Sequence, residues 1–231
     1  MSFLGLAEKT FLIAGVANKK SVAYFSAKTL IEEGAKCIFS VQKEEQRAQV
    51  EKLFPGAAIV VCDVEKAEEL ARLPFEINKH ADHIDGLLHS LAFANFSEGL
   101  QPFHQTKRAD YLQAAQISAF SLVEMCQVLN PLFTSAASVV TISISNTRAT
   151  SYGYLGPIKA MLDAIVPYLA KSLSADSHIR VNAVGAGPLK TSASAGIPDY
   201  IDNYLFAEAL TLRKEALQTQ EVANTVAFLL S

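Results

Sequence analysis

The chain is expected to fold as an α/β domain with a doubly wound parallel sheet. Short β-rich runs alternate with longer helical patterns from end to end, and parallel strands need crossover helices of this kind to bring the chain back to the same edge. Most of the β-rich runs are continuous apolar stretches, the pattern of strands covered on both faces. The 231 residues, 50% of them hydrophobic, suffice for one large core without disulfide or metal staples.

The first predicted strand is Thr10–Ala14, followed by a loop opening at Gly15 and a helix over Ser21–Glu33. Ser21 suits the N-cap of that helix, and Gly34 the left-handed position beyond its end. A strand at Cys37–Val41 and a helix at Glu45–Phe54 come next, then a strand at Ala58–Cys62 and a helix at Lys66–Asn78. Gly86–Ser90 reads as the fourth strand and Arg108–Leu129 as a long helix. The fifth strand, Val139–Ser143, precedes a helix over Gly156–Ser174, where Pro157 is tolerated because it falls in the first turn. The sixth strand, Val181–Val184, opens into Gly185–Leu212, where small residues and proline give way to an amphipathic stretch. An excursion of that length inside a compact domain reads as a functional lid. Glu221–Leu230 reads as a helix, and the sequence stops at Ser231 without the strand such a helix would feed. No repeat, low-complexity tract or linker divides the chain, so residues 1–231 are expected to form one domain with a flap at about 191–212.

Composition narrows the function. Lys and Arg number 20 against 23 Asp and Glu, a net charge of −3, and Lys19-Lys20 is too short a basic run to follow a phosphate backbone, so nucleic acid is not an expected partner. Cys37, Cys62 and Cys126 lack C-x-x-C spacing and read as buried free thiols, with no metal expected. No apolar run reaches the roughly 18 residues of a membrane span, and Met1–Lys9 lacks a signal-peptide layout. A soluble cytoplasmic protein without a membrane partner is the expectation.

The turn after the first strand points to an anion. A loop from a strand into a capped helix aims free N–H groups and the positive end of the helix dipole at whatever lies above it, which favours a pyrophosphate. The spacing G-x-G-x-x-G is absent, so the turn alone is compatible with other doubly wound folds. Further along, Tyr152 stands seven residues before Lys159, about 700° of helix rotation and so within about 20° of two full turns. Tyr154 lies five residues before Lys159 and would point roughly 140° away. Pro157 moves the expected helix start to near Tyr154, which leaves Tyr152 in the turn leading in.

GVANKKSVA at Gly15–Ala23 resembles the first phosphate-binding loop of the NADH-dependent enoyl-acyl-carrier-protein reductases, divergent members of the short-chain dehydrogenase/reductase superfamily. Further matches follow in family order: Gln42, CDV at Cys62–Val64, HSLAFA at His89–Ala94, Tyr152 with Lys159, and GAGPLKT at Gly185–Thr191, then SAGI and Asp199-Tyr200. Leu155 occupies the position of the tyrosine in the ordinary Tyr-x-x-x-Lys motif, whereas the seven-residue spacing is that of the enoyl reductases. The resemblance spans essentially the whole chain. It implies a Rossmann-like fold of three α/β/α layers, a seventh strand beyond Ser231, and a homotetramer formed through the long helices Arg108–Leu129 and Gly156–Ser174.

The resemblance also implies roles. Tyr152 would stabilise the enolate of an enoyl thioester carried on acyl carrier protein, and Lys159 would hold the nicotinamide ribose. Gly15, Ser21, Val22, Gln42, Asp63, Val64, Ser90, Leu91, Ala92, Leu189, Thr191 and Ala193 would contact the cofactor. Ala94, Ile144 and Tyr200, with Tyr152, would contact substrate beneath a flap formed by Ile197–Leu210. Gln42 sits where such folds read the adenosine ribose, and a neutral amide with no Arg beside it favours NADH over NADPH, with Lys43 next to it as a point charge that attracts a 2′-phosphate. Asp63 reads either as an adenine contact or as a cap of the following helix.

Three positions depart from the family. Ile144 replaces a second active-site tyrosine, Phe25 replaces a small residue and is expected either to crowd the first helix against the sheet or to lean toward the pyrophosphate, and Ala92 replaces a glycine. They leave open two further readings: another NAD(P)H-dependent short-chain reductase of secondary metabolism, or a non-catalytic relative acting as an interaction protein.

Overall fold

The apolar runs divide between the two faces of a parallel sheet. A computed structural model describes residues 3–198 and 200–231. Among them run β1 (Thr10–Ala14), β2 (Lys36–Val41), β3 (Ala58–Val61), β4 (Ile84–His89), β5 (Phe133–Ile144) and β6 (Arg180–Ala186). They form one all-parallel sheet in the order β3-β2-β1-β4-β5-β6. The connecting helices are α1 (Val22–Glu32), α2 (Glu44–Leu53), α3 (Ala67–Asn78), α4 (Arg108–Ala115), α5 (Ser121–Leu129) and α6 (Leu155–Leu173). After β6 come α7 (Ser192–Ala195), α8 (Tyr200–Leu210) and α9 (Thr219–Leu230).

Side chains alternate along each strand, so neighbouring residues serve opposite cores. Leu12, Leu87 and Val139 pack with α3, α5 and α6, while Phe11, Leu88 and Val140 pack with α1, α2 and α9. This is the doubly wound, three-layer arrangement that the continuous apolar runs predict. The first helix ends as expected: Gly34 has φ of +86°, its N–H donates to Ile31 O at 3.0 Å, and Ala35 N–H reaches Leu30 O at 2.9 Å. A glycine there avoids the Cβ penalty of left-handed backbone. Among the described residues β6 pairs only with β5, and Arg180 donates to Leu229 O and Ser231 O beside it.

Three expectations change. Arg108–Leu129 is not one regular helix, because Gln116–Phe120 forms a π turn between α4 and α5, a break often found beside functional sites. β5 starts at Phe133, well before Val139: Phe133 pairs with Ile84 and Ser138 with Gly86, with a register irregularity between the two pairs. Phe25 does not wedge between α1 and the sheet. Val22, Ala23, Ser26, Ala27 and Leu30 form the buried face, and Phe25 stays half-buried beside Tyr24, ring to ring at 5.6 Å.

Candidate active site

In an open parallel sheet, ligands bind beyond the carboxyl ends of the strands, where the winding reverses. Here the reversal lies between β1 and β4. Gly15 leaves β1 with φ of +104°, and a Cβ on it would lie 2.2 Å from Ser90 O. Only a glycine permits this approach of the two strand ends. Ser90 N–H donates to Ala14 O at 3.0 Å. The loop then closes on itself, with Lys20 N–H on Asn18 Oδ1 at 2.8 Å and Ser21 Oγ donating to Asn18 O at 2.8 Å. Ser21 also caps α1 by accepting from Tyr24 N–H at 3.2 Å, and Val22 is buried behind it. A flat glycine floor beside a capped helix N-terminus fits a dinucleotide pyrophosphate.

The strand order sets Gln42 and Asp63 on one side of this crevice and the β5 and β6 ends on the other. Gln42 and Lys43 are exposed, and their main-chain N–H groups donate to Gln46 Oε1 at 2.9 and 3.1 Å, which orders the start of α2. Asp63 is 7% exposed and accepts from Glu65 N–H at 3.1 Å. It turns the chain locally, whereas Lys66 occupies the N-cap of α3. Val64 is buried in the core below. Leu91 and Ala94 are half-buried and Ala92 is exposed. Ser118 pins this loop through Phe93 N–H at 2.8 Å and Phe93 O at 3.0 Å.

Tyr152 lies in a short 3-10 turn, Thr150–Tyr152, and α6 begins at Leu155. Pro157 therefore sits in the first helical turn, as expected. Burial, with the nearby Tyr200, pushes the Tyr152 phenol up to about 12. Tyr154 is committed elsewhere, its hydroxyl donating to Asn95 O at 3.0 Å. Lys159 is 4% exposed and donates to Ile142 O at 2.7 Å. Burial lowers it to about 8, since a desolvated ammonium is costly.

Beneath Lys159 lies a polar cluster that sequence reading did not assign. His89 is fully buried, with Nδ1 2.9 Å from Thr141 Oγ1 and Nε2 2.9 Å from Ser121 Oγ. Each hydroxyl also has a main-chain carbonyl within reach, Ser121 Oγ at 2.7 Å from Ile117 O and Thr141 Oγ1 at 3.2 Å from His89 O, so the ring sits in a fully bonded polar network. Burial, then the charge on Lys159, holds His89 down to about 3, and it stays neutral. The available signal was the run of Ser and Thr in an otherwise apolar strand and helix, at Ser118, Ser121, Thr141 and Ser143.

Past β6, Leu189 is buried and its N–H donates to the Tyr200 hydroxyl at 2.8 Å. Ser194 Oγ meets Leu189 O at 2.7 Å and Thr191 N–H at 2.9 Å. These bonds knot the strand end to α7 and α8. Ala193 falls within α7, but its side chain lies outside the described residues, as does Asp199. A cleft of about 880 Å³ separates the first loop from the flap, lined by Asn18, Lys20, Leu53, Lys190, Thr191 and Tyr200 among others. Tyr152 and Lys159 are not in its lining. Ile144, half-buried, ends β5 opposite Ala186.

Comparison with known proteins agrees with this geometry. The family model described as Enoyl-(Acyl carrier protein) reductase matches residues 15–231. The chain is 36% identical over 235 residues to the enoyl-[acyl-carrier-protein] reductase [NADPH] of Staphylococcus aureus (strain MRSA252), covering 99% of this chain and 91% of that one. It is also 36% identical over 229 residues to the enoyl-[acyl-carrier-protein] reductase [NADH] of Enterococcus faecalis, covering 98% and 91%. The crystal structure of enoyl-[acyl-carrier-protein] reductase (NADH) from Aquifex aeolicus VF5 superposes with a TM-score of 0.92 at 30% identity, covering 98% and 91%. The chain therefore belongs to the enoyl-acyl-carrier-protein reductase family of the short-chain dehydrogenase/reductase superfamily.

Proposed function

We propose that this enzyme reduces the trans-2 double bond of enoyl thioesters on acyl carrier protein with NADH, in fatty acid biosynthesis, as a cytoplasmic homotetramer. Residues 1–231 act as one dinucleotide-binding domain with the flap at about 191–212. The observation that carries the reading is a buried Lys159 held on Ile142 O at the carboxyl edge of the sheet, with the half-buried Tyr152 in the turn that leads into the same helix.

When bound, the reduced nicotinamide supplies the hydride that adds to the β-carbon of the enoyl group. The chain's own residues manage the charge that follows. Tyr152, held protonated near neutral pH, donates a hydrogen bond to the thioester oxygen as negative charge develops there, and a preorganised donor in a desolvated site is worth far more than one in water. Proton uptake at the α-carbon then completes the reduction. Lys159 holds the sugar next to the reacting ring, while Ser90, Leu91, Ala92, Leu189, Thr191 and Ala193 bound the nicotinamide half. Gly15, Ser21 and Val22 take the pyrophosphate, and Gln42, Asp63 and Val64 take the adenosine. Ala94, Ile144 and Tyr200 line the acyl path.

NADH is favoured by what surrounds the adenosine ribose position. Arg47 is already engaged, with Nε on Glu44 at 2.5 Å and Nη1 on Ile59 O at 2.6 Å. Glu44 and Glu45 begin α2 beside Lys43 and oppose an added phosphate. The expected result is a kcat/KM for NADH at least about tenfold above that for NADPH, and Gln42→Arg should narrow the gap.

The central test is loss of NADH absorbance with a crotonyl thioester of acyl carrier protein. Tyr152→Phe should lower kcat by about 10²-fold or more while the protein stays folded. Absence of turnover with any acyl thioester would sink the reading, and turnover of other enones alone would select a different reductase chemistry.

A further inference from the structure

Two buried serine hydroxyls, Ser26 Oγ and Ser143 Oγ, have no hydrogen-bond partner among the described residues. Their settings differ. Ser26 lies on the buried face of α1 with Ala23, Ala27 and Leu30. Ser143 is the penultimate residue of β5, at the carboxyl edge where this fold receives its ligand. It is 3% exposed.

The direction of its side chain follows from strand alternation. Val139 faces the core shared with α5 and α6, and Val140 faces the other. Thr141 lies on the Val139 side and meets His89 there. Ser143, two residues further, points to the same layer, which holds Lys159. The Lys159 ammonium rests on Ile142 O, the carbonyl directly before Ser143. An ammonium has three donors, and among the described residues one is used. A nearly dry niche thus holds spare ammonium donors beside a hydroxyl that can both give and accept a proton. Buried polar groups of this kind are normally satisfied, and one left open at a ligand edge is matched by a sugar diol, whose hydroxyls also both give and accept.

We infer that Ser143 is a further cofactor-binding residue, its hydroxyl bonding the nicotinamide ribose alongside Lys159. The inference rests on the proposed role of Lys159. Because the Ser143 hydroxyl is already withdrawn from water and has no partner among the described residues, its desolvation cost is carried by the free protein and recovered on binding.

That asymmetry gives a test which a structural serine would fail. Full-length Ser143→Ala, titrated with NADH and with ADP, should melt at or slightly above the wild-type temperature without ligand, since it removes an unsatisfied buried hydroxyl. Its affinity for NADH should fall about 5- to 20-fold and its affinity for ADP, which lacks the second ribose, should not change. Ser26→Ala should share the unchanged or raised melting temperature and keep wild-type NADH affinity. Unaltered NADH binding by Ser143→Ala, or a lowered melting temperature with equal losses for NADH and ADP, overturns the inference alone. A wild-type protein that binds neither NADH nor NADPH overturns the proposed function and this inference together.

Discussion

At the scale of single residues, burial decides which groups are available for chemistry. Tyr152 and Lys159 are displaced by desolvation in opposite directions, the phenol up to about 12 and the ammonium down to about 8. Both shifts favour the neutral form. For Lys159 the consequence falls within a working pH range. Its folded value lies below the ordinary 10.5, so the cost of the buried charge is present in full below about 8 and is released between about 8 and 10.5, where stability gains with pH. Ligand binding runs the other way, because the ribose loses a charged donor as the proton leaves. NADH affinity should therefore stay flat from pH 6 to 7 and weaken progressively above about 8. Lys159→Arg keeps its charge throughout and should show no inflection there, even if its overall affinity is lower. Titrations by protein fluorescence or calorimetry across this range would reveal an inflection common to both proteins if another group were responsible.

Elements position these groups through bonds that cross between segments, and the flap is the clearest case. Leu189 is 6% exposed, and its N–H has the Tyr200 hydroxyl as acceptor. Tyr200→Phe keeps the ring and its packing but leaves that N–H without the phenol oxygen, a loss of about 1–3 kcal/mol for a buried donor. The flap should then open more readily: limited proteolysis within residues 191–212 should be several-fold faster, and KM for the thioester should rise more than kcat falls. Equal cleavage rates would show that α8 is held by other contacts. The same distinction between local and cross-segment bonds explains what the sequence revealed. Strands β1 to β4 were legible because each is a short apolar run, and the α1 terminus because Ser21 and Gly34 act on their own helix. The π turn at Gln116–Phe120 was not legible, since Ser118 and Ser121 act through partners at Phe93 and His89, 25 and 32 residues away. Tyr152 and Lys159 are singled out by their spacing, yet the structure does not place both on one helix face, because Tyr152 precedes α6. Ser143 stands out in the sequence only as a polar residue in an apolar strand, and it takes the tertiary arrangement to show that its hydroxyl has no partner among the described residues.

The whole molecule presents a further consequence of having helices on both faces. α6 packs beside α4 and the π turn, and these neighbouring helices leave Leu112 60%, Phe120 49% and Tyr168 78% exposed. Isolated apolar side chains on a surface are ordinary, but aromatic groups on adjacent long helices make suitable anchors for another copy of the chain. Glu124, one turn beyond Phe120, also has a buried carboxylate oxygen without a partner among the described residues, and burial raises its pKa. The homotetramer implied by family resemblance would use this layer. Sedimentation of the wild-type protein at micromolar concentration should give a tetramer, and Phe120→Glu should shift it to dimers or monomers, because a charge placed at the centre of an apolar contact must be desolvated without a partner. Phe75 supplies the control: it is 65% exposed on α3, which neighbours α5 but lies outside the α4-to-α6 surface, and its ring lies under the Lys79 ammonium. Phe75→Glu should leave the assembly intact. A monomeric wild type, or equal dissociation by both variants, would count against assembly through α4 to α6. If only Phe120→Glu dissociates and also loses activity in proportion, assembly supports the nearby π turn, whose Ser118 holds the loop after β4 at the cofactor edge.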